Sequence, residues 1–95
     1  MNKNKLRKTK EKLANFRKQG GIKSTELESF AQDLGRKRSP RGSEPTWVSV
    51  PFPDLRPLSI PHHSSDLNKF TAGSILDQLE EDIERWERHL ESIKE

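Results

Sequence analysis

With 95 residues, of which 28% are hydrophobic and 35% charged, the chain has room for one small domain with a thin core. It contains no cysteine, which excludes disulfides and thiolate metal sites, and no run of about 20 apolar residues, which excludes a membrane-spanning helix. The net charge of +3 is unevenly spread: residues 1–23 carry +8, residues 24–76 balance, and residues 77–95 carry −5.

The N-terminus is basic but lacks the apolar stretch of a secretory signal, so the expectation is a cytoplasmic protein. The basic end suits phosphate contacts or an acidic partner surface, whereas the acidic end cannot approach nucleic acid closely. Residues 3–18 have Leu6, Leu13 and Phe16 as their only large apolar side chains. That stripe is too sparse to hold an isolated helix. Residues 1–22 therefore read as a basic arm, either frayed or a helix ordered by docking, with Gly20-Gly21 as a flexible joint. Residues 23–95 read as the folded domain.

Thr25-Glu26-Leu27-Glu28 predicts a helix start, with Thr25 as cap and Glu28 reaching back. Leu27, Phe30, Ala31 and Leu34 then form one apolar face, and Gly35 supplies a left-handed exit. From Arg36 to Pro61 the period changes to two, punctuated by six prolines. A three-stranded antiparallel sheet is expected at about 36–40, 46–50 and 56–60, with turns at Arg41-Gly42-Ser43 and Pro53-Asp54. A last helix is expected from Thr71, as N-cap, to about Ile93. Its stripe of Leu76, Leu79, Ile83, Trp86, Leu90 and Ile93 has coiled-coil spacing, and Glu81–Arg85 and Glu84–Arg88 stand at i, i+4. At about 35 Å it outruns a small sheet beyond about residue 80. Ile83, Trp86 and Leu90 are thus candidate interface residues, for a homodimer through this helix or for the N-terminal arm. The fold class is α+β: helix, three-stranded antiparallel sheet, helix, flanked by the basic arm.

Two blocks carry most of the chemical information: Arg36-Lys37-Arg38 leading to Gly42-Ser43-Glu44-Pro45-Thr46-Trp47, and Ile60-Pro61-His62-His63 leading to Leu67, Thr71 and Ser74-Ile75-Leu76. Over roughly residues 24–80 they resemble the HicA toxin family, small ribonucleases of toxin–antitoxin systems. The resemblance implies a double-stranded-RNA-binding-like fold, mRNA as substrate, a HicB-type antitoxin as partner, and cleavage without metal or cofactor. Glu44 stands where that family has its catalytic histidine, Phe70 where it usually has glycine, and Asp77 where it often has lysine. His63 matches the histidine of the family's Pro-x-His loop.

Metal-free RNA cleavage needs a base for the ribose 2′-OH and an acid for the leaving oxygen, and histidine serves both near pH 7. A carboxylate, with a reference pKa of about 4.3, serves as a base but rarely as an acid. Glu44 is accordingly either a working base, a sign of lost nuclease activity, or a structural partner of Arg38, Arg41 or Arg56. Glu44 and His63 are the catalytic candidates. His63 and His62 either order their loop or contribute to phosphate binding and proton transfer. As neighbours on an extended chain they point apart and are poor joint metal ligands. Arg36, Lys37, Arg38 and Arg41 beside Trp47 form the candidate RNA surface, with Trp47 either packed in the core or stacked on a base.

Overall fold

A computed structural model describes residues 1–39, 46–61 and 66–93. Helix α1 spans Lys3–Lys18 and α2 spans Ser24–Asp33. Strands β1 (Arg36–Ser39), β2 (Thr46–Ser49) and β3 (Leu58–Ser59) follow, and then helix α3 (Lys69–Ser92). The sheet is antiparallel in the order β1-β2-β3. Trp47 stands between Arg38 on β1 and Leu58 on β3. Trp47, Ser49, Leu58 and Ile60 are buried towards the helices, while Val48 and Val50 are exposed, so the period of two has the expected one-sided consequence. The expected α+β layout is present, with a third strand of only two residues: β3 starts directly after Pro57, which has no N–H to give a ladder.

Both helix starts differ from the sequence expectation. In α2 the Lys23 N–H donates to Glu26 Oε2 at 2.8 Å, so Glu26 does the reaching back and the helix begins before Thr25. The cap of α3 is Asn68, whose Oδ1 accepts from the Phe70 N–H at 2.8 Å, three residues ahead of Thr71. Short polar side chains compete for this role, and Asn caps at least as well as Thr. The exit of α2 is as expected: Gly35 has φ 96°, and a Cβ there would lie 2.9 Å from Pro51.

The overhang of α3 is closed within the chain. Its 24 residues run about 36 Å, and α1 lies along it. Leu6, Leu13 and Phe16 are buried, as are Ile83 and Leu90, and Phe16 meets Phe30 of α2 at 5.3 Å between ring centroids. Arg17 bridges Asp77 and Glu80 at 2.9 Å each, Lys10 pairs with Glu87, and Lys12 reaches Asp33 of α2. These pairs are largely exposed and worth about 0–1 kcal/mol each, against about 1.5–3 kcal/mol per buried apolar side chain. Apolar burial therefore holds α1 down, and the ion pairs set its register. Gly21 lets the joint return closely, since a Cβ there would collide with Asp66, and Leu67 N–H donates to Ile22 O at 2.8 Å.

Trp86 is an internal anchor and does not form a free interface. Its Nε1–H donates to Leu34 O at 2.9 Å, and its ring meets Phe52 edge-on at 4.8 Å. Arg85 turns away from Glu81 to hold Asp54 through two bonds of 2.7 and 3.0 Å, which keeps the Asp54 carboxyl below its ordinary pKa. The β2–β3 connection is thereby fastened to α3, with its turn closed by Leu55 N–H donating to Phe52 O. Of the two expected occupants of Ile83, Trp86 and Leu90, the N-terminal arm is the one present: α1 covers Ile83 and Leu90, and the β2–β3 connection packs on Trp86.

Leu13→Ala should lower stability by about 2–5 kcal/mol, because a large side chain leaves a closed interface. Lys10→Gln should change it by less than about 1 kcal/mol. Denaturant unfolding of both variants checks this ranking, and equal effects would mean that charge holds α1 in place.

Candidate nucleic-acid interface

The first strand was expected to present Arg36, Lys37 and Arg38 together. Alternation separates them. Lys37 projects from the outer face beside Val48, its cross-strand partner, while Arg38 stands on the helix side opposite Trp47. Both are exposed. With Glu28, Gln32, Gly35 and Val50 they line a shallow groove where α2 passes into β1.

Arg36 borders the same groove, but its guanidinium is turned inward. It is 3% exposed and forms a two-pronged pair with Asp82 of α3, Nε–H donating to Oδ2 at 2.7 Å and Nη2–H to Oδ1 at 2.8 Å. Its Nη1 donates to Trp47 O at 2.9 Å and to Arg56 O at 3.1 Å. With four of its five N–H donors committed to a carboxylate and two carbonyls, a guanidinium buried this deeply is not available to phosphate. Burial pushes the Asp82 carboxyl up from its ordinary pKa, against the pull of Arg36. Asp82 was missed by the sequence reading. Its signal was present, because it falls three residues after Leu79 on the buried face of an otherwise acidic helix.

Trp47 is 4% exposed and packs in the core, so it is corrected from base-stacking candidate to core residue. Its Nε1 has no hydrogen-bond partner among the described residues. His89 is exposed and lies 5.7 Å from both Phe52 and Trp86. Arg41, Glu44, His62 and His63, together with the expected Arg41-Gly42-Ser43 turn, lie outside the described residues. Among the described residues no group of three or more His, Asp or Glu side chains is placed to hold a metal ion, and no helix is long and apolar enough to cross a membrane.

What remains on β1 is a pair of diverging cations at the end of a strand that leads into the segment holding Glu44. Such a pair can neutralise phosphates on either side of the strand. A scan against protein-family models, a search of curated proteins and a search of solved structures each find no match to this chain.

On the expectation that the chain binds RNA, neutralising Lys37 and Arg38 to Gln should weaken that binding and reduce the slope of log affinity against log salt by up to about 1.4, since each single-strand phosphate contact contributes about 0.7. Arg36→Gln should act differently. It leaves Asp82 buried without its cation and should destabilise the fold by about 3–5 kcal/mol. Replacing Arg36 and Asp82 together by Met and Leu should recover most of that loss. A thermal unfolding cycle over the two single variants and the double variant provides the check.

Proposed function

We propose that this chain is a HicA-like toxin of a toxin–antitoxin pair: an RNA-binding protein that cleaves mRNA without metal and is held in check by a HicB-type partner. The observation that carries the reading is the Ile60-Pro61 to Ser74-Ile75-Leu76 block, which begins directly after β3 and ends in the second turn of α3, in a chain with a helix, three-strand, helix layout. Ile60, Ile75 and Leu76 are all buried there, so the block's apolar positions belong to the core. The exposed Lys37 and Arg38 support phosphate contact next to the segment that contains Glu44.

In this role Glu44 is the base that takes the 2′-OH proton, and His63 donates the proton to the leaving oxygen. A second reading is favoured by two observations: a carboxylate stands in place of histidine, and Arg36 is withdrawn into the Asp82 pair. In that reading the chain binds RNA or a HicB-type partner without cutting.

Incubating the purified protein with an unstructured and a structured RNA in the presence of chelator separates the two. The toxin reading expects cleavage by the native protein, and loss of at least about 100-fold in rate for Glu44→Gln with RNA affinity intact, as for removal of a general base. Binding without cleavage supports the second reading. Absence of RNA binding overturns the toxin reading and leaves of the second only the binding of a HicB-type partner.

A further inference from the structure

The start of α3 carries the most exposed large apolar side chain among the described residues. Phe70 is 89% exposed, while Ala72, Ile75 and Leu76 of the same helix turn inward. A phenyl ring left in water forgoes the stabilisation that burial gives, and no ring contact of this one is present among the described residues. Its neighbour in sequence, Lys69, lines a crevice between the end of α1 and the start of α3 together with Arg17, Lys18, Gly20, Gly73 and Leu76. Arg17 is taken up by Asp77 and Glu80. Lys18 and Lys69 are exposed and have no ion-pair partner among the described residues. A Cβ added at Gly20 or at Gly73 would meet nothing within 4 Å, so both walls are open to a ligand.

The positive charge continues along α1. Lys3, Arg7 and Lys8 are likewise exposed and unpaired among the described residues, and Lys3 lies about 22 Å from Lys18 along the helix axis. None of the three is needed for docking, which uses Lys10, Lys12 and Arg17. The pattern also works against the helix itself. Its first turn has no acidic residue to balance the macrodipole, and Lys3 and Arg7, like Lys5 and Lys8, repel at helical spacing, with the exposed Glu11 one turn beyond Arg7 as the single acidic residue of the helix. Exposed cations near an exposed ring are the layout of a single-strand binding surface, in which cations follow the backbone and an aromatic ring takes a base.

We infer that Phe70 is a stacking platform for a base of single-stranded RNA, with Lys18 and Lys69 holding the adjoining phosphates and the free cations of α1 extending the track. This rests on the RNA-binding reading above and adds a second contact area, built from other elements than β1. Stacking requires an unpaired base, so the platform selects single strands over duplex.

The test is a titration of the full chain with labelled single-stranded and duplex RNA of equal length. Phe70→Ala should lower single-strand affinity by about 5- to 150-fold, the range measured for loss of one stacked base, and leave duplex binding unchanged. Phe70→Trp should keep it. Lys18→Gln with Lys69→Gln should reduce the single-strand salt slope by about 1.4. All the side chains changed are exposed, so an unaltered Tm shows that the fold is retained. Native binding that is indifferent to Phe70→Ala, or weakened equally for duplex, overturns the platform but leaves the RNA-binding reading standing. An inability of the native protein to bind RNA overturns both.

Discussion

The buried pair of Arg36 and Asp82 joins parts of the chain that nothing else connects so directly. Asp82 belongs to the middle of α3 and Arg36 to the first residue of β1. The remaining guanidinium donor holds the Trp47 and Arg56 carbonyls, on β2 and on the approach to β3. One side chain thus sets the height of all three strands over the long helix. Removing charges from water is costly, and a buried pair is often no more stabilising than a well-packed apolar substitute. Its contribution is better understood as registration: only one sliding position of α3 under the sheet lets the two-pronged contact and both carbonyl bonds form together.

That registration fixes what the rest of α3 can do. With its first half against the sheet, the second half extends past it and meets two other segments. On one side α1 covers Ile83 and Leu90. On another, Trp86 and Arg85 hold the connection between β2 and β3 through Leu34 O, Phe52 and Asp54. A chain with so few apolar residues closes its core by bringing a third helix to a two-helix fold. Of the oppositely charged ends, Lys10 and Arg17 meet Glu87, Asp77 and Glu80 along that helix pair.

The same packing sorts the cations into two groups. Arg36, Arg85, Arg17 and Lys10 are used inside the molecule, each against a carboxylate of α3 or of the loop it holds. Lys37, Arg38, Lys18, Lys69 and the outer residues of α1 are left to solvent. Formal net charge does not distinguish these groups, yet only the second can attract a polyanion, because a paired cation presents almost no field at a distance. The basic character of the chain is therefore concentrated on β1, on the outside of α1 and at the crevice that Lys18 and Lys69 line.

The sequence by itself determined the local elements. The Leu27, Phe30, Ala31 and Leu34 face, the left-handed exit at Gly35, the alternation through Trp47 and Ser49, and the coiled-coil spacing of the last helix each follow from residue order within a few positions. The HicA-like block is also legible at this level, since it is a contiguous pattern. Tertiary structure decided the rest, because it depends on residues far apart in the chain. Whether residues 3–18 form a helix was settled by α3 about 70 residues later in the chain, since three large apolar side chains make a stable helix only against a matching face. Whether Arg36 was a ligand-binding cation or a buried tie depended on Asp82, 46 positions away. The isolation of Phe70 became visible only once every other apolar side chain around it had been given a place. A charge or a ring has the same chemistry wherever it stands; what it is free to contact is decided by the partners that folding brings to it or keeps from it.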